Sequence, residues 1–555
     1  MQNISMGIHM GHDRSVSIVA NGTLIGSLAA ERLDRIKHSK SSQIPFQTID
    51  RLLEYLNIDI HSIKYVGITY VSVEASNLGQ YYTDQLKAHY TDWSFKIIPV
   101  SHHLAHAAST FYTSSFEKAL VFVADGGGDL INGEEEAESV YIASENGIEL
   151  LEQRLQSNVV HTLSREQFHL YPFMNDIYKS EQISIAKKYE QITYTVGFGW
   201  NQAGKTMGLA SYGKEKFSVN IPEINDLQYD ISLDFLLKEI YQAYLCSGLK
   251  YPFYIEENKE DIAKTVQTYT ENLVISIFEY LIKKYQIKEI CVAGGLFLNC
   301  LLNHKLLEAF PDLTLHICPA AGDDGQSIGA AFIAYQYFVD SQPMCGTTIP
   351  YLGLSYDKTN ILNAINSHGL QYQYYENHED LFSIVAKEIY SNKIIGFFTG
   401  RSEIGPRALC HRSILANATW EGMKDYLNNK VKHRENFRPF APVILEEFEM
   451  DYFKLRQTSP YMLLAPETNE NYIPFIPSVV HVDKTARVQS VNKENNPYIY
   501  GIIQEFYRLS GIPVILNTSF NDNGEPIVES PDDAVKTFLS TQIDVLVIEN
   551  FIIYK

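Results

Sequence analysis

The sequence predicts an α/β protein built as two domains. Apolar runs repeatedly end in glycine-rich turns that open onto helical patterns, as in ALVFVADGGGD (119–129), EICVAGGLFLNC (289–300) and LTLHICPAAGDDGQSIGAAFIAY (313–335). Strands of this kind suit phosphate groups, because the free backbone N–H groups at a helix N-terminus point at the anion. The composition then shifts near 340–355, where SQPMCGTTIPYLGLSY reads as a linker before a second αβ region. A division near residue 350, placed at 345/346, follows.

From the N-terminus, the partial alternation of SVSIV, the dipeptide Asn21-Gly22 and the run TLIGSLAAE predict strand, tight turn, strand. If SHHLAHAAST (101–110) is helical, His102 and His106 share a face, because residues four apart are neighbours on a helix. His103 and His106, three apart, are the alternative pair. Residues 151–290 are mostly helical in pattern, with ENLVISIFEYLIKKY (271–285) the clearest segment and GFGWNQAGKTMGLASYGK (197–214) a glycine-rich interruption. The stretch 457–491 is punctuated by proline and reads as loop. GIPVILNTSFNDNGEPIVESPDDAV (511–535) predicts strand, turn, then a helix from about Pro531.

At 555 residues the chain is too long for one hydrophobic core. Its 45% hydrophobic and 20% charged residues are those of an ordinary soluble protein. No apolar run approaches the ~20 residues that span a bilayer, and MQNISMGIHMGHD lacks the layout of a signal peptide. Six cysteines without C-x-x-C spacing indicate neither a zinc knuckle nor a disulfide framework. A cytoplasmic location without a membrane partner is the expectation. The formal charge of −21 argues against a nucleic-acid partner, whose backbone calls for a basic surface.

Against that acidic background, residues 393–438 hold nine Lys/Arg and four acids, a net +5. Arg401, Arg407, Arg412, Lys432 and Arg438 are interleaved with Pro, Ala, Phe and Leu, as in the wall of a pocket. A guanidinium fork matches phosphate oxygens two at a time, and a buried cluster of cations is costly without anions. A phosphate-containing ligand is expected there.

Other residue types point to further chemistry. His102, His106, Asp125 and Asp323 would supply two imidazoles and two carboxylates, a set suited to divalent iron, manganese or zinc. Spacing alone does not bring them together. The glycine turns at 126–128, 204 and 294–295 singly only shape loops, but jointly they point to a nucleotide fold. Lys205 lacks the G-x-x-x-x-G-K-[ST] frame of a P-loop. His12 is either a general base or a structural histidine. Asn517, Thr518 and Ser519 either donate to a ligand or shape a turn.

Taken together, HMGHD (9–13), ERLDRIKH (31–38), HHLAHA (102–107), DGGGD (125–129), GKTMGLASYG (204–213), GGLFLN (294–299) and GDDG (322–325) in the first half resemble the NodU/CmcH O-carbamoyltransferases. GPRAL (405–409), RSIL (412–415), KHRENFRPFAP (432–442), TARVQ (485–489) and LNTSFN…GEPIV (516–528) continue the likeness in family order. The resemblance implies a TsaD-like domain of the actin/sugar-kinase/Hsp70 superfold over 1–345 and a YrdC-like α/β domain over 346–555. It implies that carbamoyl phosphate and ATP, with Mg2+, give carbamoyladenylate and pyrophosphate in the second domain. The carbamoyl group then passes to a hydroxyl of a small molecule in the first, and AMP leaves.

Carried over by resemblance, His102, His106, Asp125 and Asp323 are the metal ligands, with Fe2+ expected and Mn2+ or Zn2+ the alternatives. Arg407, Arg412, Lys432, Arg438, Arg487 and Ser519 form the carbamoyl phosphate and adenylate site. Lys37 contacts nucleotide phosphate and His12 lies at the transfer centre. Gly126, Gly127, Gly204, Gly294, Gly295, Asn299, Asp324 and Asn517 complete the expected cofactor-binding set. A homodimer is in keeping with the family. Where the family pattern PRALGxRSI has glycine, this chain has Cys410. Two rivals are a tRNA-modifying enzyme, against which the acidic charge speaks, and a regulator that binds carbamoyl phosphate or ATP without turnover. The acceptor is not encoded in any motif, because such specificity lies in loops.

Overall fold

The computed structural model describes residues 3–71, 78–156, 183–229, 246–338 and 349–555, with isolated positions between 240 and 244 and between 343 and 346. Among them are three sheets that alternate with helices, so the α/β class holds. Parts of the expected helical region, 157–182 and 230–239, and of the linker, 339–342 and 347–348, lie outside the described residues.

The first sheet has the order β3-β2-β1-β4-β5, from β1 (Ile4–His9), β2 (Ser15–Ala20), β3 (Thr23–Ala29), β4 (Ile63–Thr69) and β5 (Lys96–Pro99). β4 runs parallel to both β1 and β5. The β2–β3 turn is the expected Asn21-Gly22, with φ of 50° and 82°. Two consecutive positive φ values match the twist of paired strands, and Asn and Gly tolerate them best.

The second sheet is β11-β10-β6-β8-β7, with β9 added on β8. It is built from β6 (Lys118–Ala124), β7 (Leu130–Ile131), β8 (Glu134–Ser144), β9 (Gly147–Gln156), β10 (Glu289–Ala293) and β11 (Thr314–Ile317). The core strands are parallel, β6 with β10 and β10 with β11. β9 corrects the helical reading of 151–156, which pair antiparallel with β8 as a long hairpin arm. In the segment ELLEQRLQ, Leu151 and Leu155 are four apart, a helical spacing. Cross-strand pairing with β8 overrides that local pattern.

The helix Gln326–Tyr335, QSIGAAFIAY, is buried along its whole length. It packs against β1, β4 and the helix His102–Tyr112. Gly329 permits the approach, since a Cβ there would lie 1.8 Å from the Ala105 carbonyl oxygen. The helix Tyr251–Tyr285 contains the segment 271–285 expected to be helical.

The third sheet, β12-β19-β18-β13-β14-β17-β15-β16, follows the linker. It comprises β12 (Gln373–Tyr374), β13 (Ile395–Phe398), β14 (Arg412–Ala416), β15 (Ala441–Leu445), β16 (Gln489–Val491), β17 (Val514–Ser519), β18 (Val545–Ile548) and β19 (Phe551–Tyr554). Leu381, Val385 and Ile389 of helix His378–Tyr390 recur every four residues. Together with Ile499, Ile502, Ile503 and Phe506 of helix Pro497–Ser510 they cover one sheet face, against Phe397, Leu415, Val443 and Ile515. The helix expected near Pro531 runs Pro531–Ser540 and opens on a Ser530/Asp533 capping box.

Contacts divide the chain into two compact units. One is 1–9, 19–23 and 63–347; the other is 10–18, 24–62 and 348–555. The second therefore includes His12 and Lys37 alongside the basic segment.

Candidate functional site

In the first unit, His102, His106, Asp125 and Asp323 converge, their nearest ligating atoms all within 4.8 Å of one another. The helix His102–Tyr112 supplies the imidazoles, with Ser101 capping its N-terminus by accepting from Leu104 N–H. Asp125 is the first residue after β6, and Asp323 opens the turn before helix Gln326–Tyr335. His102 Nε2 lies 3.5 Å from Asp125 Oδ2 and 3.4 Å from Asp323 Oδ1, and His106 Nε2 lies 3.3 Å from Asp323 Oδ1. The alternative pair is settled by position. His103 turns away, its Nδ1 2.7 Å from Ser139 Oγ, and shares none of this group.

Three observations test whether a divalent ion fits. His102 Nε2 and both ring nitrogens of His106 are buried with no hydrogen-bond partner among the described residues. His102 Nδ1 meets the Tyr70 carbonyl at 3.0 Å, which fixes the proton there and turns Nε2 to the carboxylates. Burial works against a charge on His102, yet Asp323 and Asp125 outweigh it and hold the imidazole well above its usual range. A metal ion would take the place of that proton. Two imidazoles and two carboxylates fit a first-row divalent ion.

The glycines serve this group as much as any nucleotide. Gly294 has φ 98°, and a Cβ on it would meet the Ala124 carbonyl oxygen at 2.2 Å. That closeness lets Gly295 N–H donate to Asp125 Oδ1 at 2.6 Å and aim the other oxygen at the histidines. Gly127 sits against Glu135 and Gln156, while nothing lies within 4 Å of a Cβ on Gly126 or Gly204. Asn299 caps helix Cys300–Ala309 and exchanges two hydrogen bonds with Gln267, of 3.1 and 2.9 Å. Its amide is thus committed within the fold. Asp324 is half-buried in the same turn as Asp323. His9, not foreseen, is buried at the end of β1 with Nε2 3.8 Å from Asp323 Oδ2; the HMGHD motif was the signal for it.

In the second unit the basic residues gather. Lys432 ends the π-helical turn Asn428–Lys432, and its Nζ donates to Ser519 O at 2.6 Å and Asn521 Oδ1 at 2.8 Å. Burial, then Arg434, Arg438 and Lys37, push its ammonium well below the usual lysine range. Arg434 is lowered in the same way by burial, Arg438 and Arg487. Arg438 is lowered by burial against Glu435, with Arg487 adding to the effect. These cations share one neighbourhood and repel one another, as in a site shaped for a polyanion. Arg434 was missing from the expected site residues, although its four-residue spacing from Arg438 in KHRENFR hinted at a pair. Arg407 is half-buried on the loop before β14.

Two residues expected at the ligand are held inside the fold. Arg412 is fully buried, and its guanidinium is spent on main-chain carbonyls: Thr399 at 2.7 Å, Leu354 at 3.0 Å, Gly400 at 3.1 Å and Glu529 at 3.3 Å. It also stacks over Phe398 at 3.6 Å. Arg412 braces the loop through these bonds. Asn517 is likewise interior, its amide donating to the Ala408 carbonyl and Gln489 Oε1, both at 3.0 Å. Ser519, at the end of β17, meets Lys432 with its hydroxyl at 3.2 Å.

His12 is half-buried in the turn after β1, with Nδ1 2.9 Å from Asp13 Oδ2.

Residues 80–332 match the family model described as carbamoyltransferase N-terminus, and residues 386–555 that described as carbamoyltransferase C-terminus. Nodulation protein NolNO of Sinorhizobium fredii is 31% identical over 98% of this chain and 79% of its own length. Nodulation protein NolO of Bradyrhizobium diazoefficiens is 32% identical over 82% of this chain and 79% of its own. Among solved structures, full-length HypF in the phosphate- and nucleotide-bound form aligns over 62% of this chain and 47% of its own. The TM-score is 0.42 and the identity 14%.

Proposed function

Since the chain belongs to the carbamoyltransferase family, we propose that it is an ATP-dependent O-carbamoyltransferase working in two half-reactions. In the first, carbamoyl phosphate loses its phosphate to water. The carbamate oxygen then attacks the α-phosphorus of Mg2+-bound ATP, and pyrophosphate leaves with the electrons of the broken P–O bond. In the second, the hydroxyl oxygen of a small acceptor bonds to the carbamoyl carbon of carbamoyladenylate, and AMP departs.

Residues 346–555, with the 24–62 segment of their contact unit, carry the first half-reaction in this reading. The observation behind it is the cluster Lys432, Arg434, Arg438 and Arg487 with Lys37, cations that repel one another until anions arrive. Arg407, Arg438 and Arg487 would hold phosphate oxygens bidentately, and Lys432 would neutralise the charge that builds at the α-phosphate. His12 takes the acceptor proton in the second half-reaction. His102, His106, Asp125 and Asp323 would hold a divalent ion, iron by family likeness, which when bound supplies Lewis-acid neutralisation for the adenylate phosphate.

The test is pyrophosphate release by the iron-reconstituted protein given ATP, Mg2+ and carbamoyl phosphate, without acceptor. Release that requires carbamoyl phosphate and vanishes in Arg407→Ala is expected. Tight binding of both ligands with no pyrophosphate, even after hydroxyl acceptors are added, would overturn the reading.

A further inference from the structure

Asp13 of the HMGHD motif has no part in the chemistry described so far. Its backbone is left-handed, φ 54°, a region where Asp and Asn are among the few residues tolerated. That bend turns its carboxylate between two imidazoles. Oδ2 lies 2.9 Å from His12 Nδ1 and Oδ1 lies 2.8 Å from His38 Nδ1.

The arrangement is fastened by main chain. Gly11 and Ser41 exchange backbone hydrogen bonds of 3.1 and 2.8 Å, and Arg14 N–H donates to the Ser39 carbonyl at 3.4 Å. His38 N–H donates to Glu31 Oε2 at 2.8 Å. Arg14 Nη2 reaches Asp34 Oδ2 at 3.2 Å and Ser39 Oγ at 2.7 Å. The loop 38–41 is thereby zipped onto the turn 11–14, and His38 is carried onto Asp13. Burial would raise the Asp13 carboxyl, but the bonds to His12 and His38 outweigh it and bring it down to about 2.

We propose that Asp13 is a positioning residue for His12, orienting its imidazole and keeping the proton on Nδ1 so that Nε2 is the basic nitrogen. His38 holds the second carboxylate oxygen and stops the group from turning away. The inference rests on the reading of His12 as the base of carbamoyl transfer. As the acceptor oxygen bonds to the carbamoyl carbon, its proton passes to His12 Nε2, and AMP leaves with the electron pair of the broken C–O bond. The imidazolium so formed faces the Asp13 carboxylate across 2.9 Å, which stabilises it as a buried aspartate does in other hydrolytic and transfer sites. The other charged groups around this pair are His38, Glu31 and the Arg14–Asp34 ion pair, with exposed Lys37 next to His38 in sequence.

The experiment is nitrogen-15 NMR of the full chain with labelled histidine, where the His12 signals among 17 histidines are those lost in His12→Asn. His12 is expected as the Nδ1–H tautomer. Its titration midpoint should fall by roughly one pH unit or more in Asp13→Asn, a substitution that keeps the left-handed turn. His38→Gln, which leaves Asp13 in place, should shift it by less and serves if Asp13→Asn fails to fold. An unchanged midpoint and tautomer in the folded variants would overturn the proposal. In parallel, acceptor-dependent AMP release is measured with glycerol as a stand-in hydroxyl. A loss of about 10²- to 10⁴-fold in Asp13→Asn is expected. Full activity in Asp13→Asn beside an inactive His12→Asn would overturn the inference. Full activity in His12→Asn would instead sink the general-base reading beneath it, leaving the NMR result to judge the orientation alone.

Discussion

Cys410 stands in the left-handed region, φ 75°, and is fully buried. A side chain there costs about 1–2 kcal/mol relative to glycine, because Cβ crowds the following carbonyl. The family resemblance placed glycine at this position, and the backbone shows why. Cys410 Sγ lies 3.3 Å from both Gln489 Oε1 and Asn517 Nδ2, which also bond each other at 3.0 Å. That mutual bond survives loss of the thiol. Cys410→Gly should therefore unfold at higher denaturant than Cys410→Ala, although it is the smaller residue. The reverse order, by equilibrium urea unfolding, would show that packing outweighs the strain.

Arg412 makes a second residue-level case. With its guanidinium committed to five backbone carbonyls and buried beside Glu403 and Glu529, Arg412→Ala strips those carbonyls of their donor and leaves the two carboxylates with buried Arg32 but without their second cation. A loss of about 3–5 kcal/mol in unfolding free energy is expected. Arg438→Ala should leave stability nearly unchanged, because Arg438 is only half-buried and repelled by Arg487. In sequence the two arginines looked alike. Both sit among apolar neighbours, and only β14, which begins at Arg412, decides that one points into the fold.

At the scale of elements, the strands β6, β10 and β11 were legible because short apolar runs lead into glycine turns, where chain direction must change. β9 was not, since its stability comes from pairing with β8, a relation no local window contains. Convergence of the candidate metal group was hidden for the same reason. Asp125 and Asp323 are brought to the helix by parallel pairing of β6 and β11 with β10, whereas His102 and His106 were readable as one helical face. The cation cluster was legible as composition, but its members Lys37 and Arg487 come from distant loops.

That cluster carries a sign that can be checked. The folded-state value of Lys432 is depressed, so between it and the unfolded value of about 10.4 the folded chain binds fewer protons than the unfolded one. Stability without anions therefore rises with pH through that window. Pyrophosphate bound beside Lys432 would reverse the depression and draw protons in. Calorimetry of pyrophosphate binding in two buffers of different ionisation heat should show proton uptake, reduced in Lys432→Met. Proton release, or none, would mean that Lys432 is already charged or does not face the anion.

At the scale of the whole molecule, the two proposed half-reactions draw on the divalent set and the cation cluster, with His12 in the same unit as the cations. The divalent set lies in the unit 1–9, 19–23 and 63–347, and the cation cluster in the unit with 348–555. Each set is built from its own elements, so a substitution in one leaves the packing of the other intact. His106→Ala removes one of the four candidate ligands and should lower metal content, with a loss of acceptor carbamoylation of about 10²-fold or more. Effects of 10- to 100-fold are already typical when only the partners around a metal are changed. Pyrophosphate release dependent on carbamoyl phosphate should persist in that variant. Arg438→Ala should retain its metal and lose both pyrophosphate and product, because the second half-reaction consumes what the first supplies. Metal analysis, a pyrophosphate assay and mass spectrometry of the acceptor on the same two proteins separate the cases. Loss of pyrophosphate release in His106→Ala at full folding would mean that the divalent group also serves adenylate formation, and the division of labour between the two residue sets would fall.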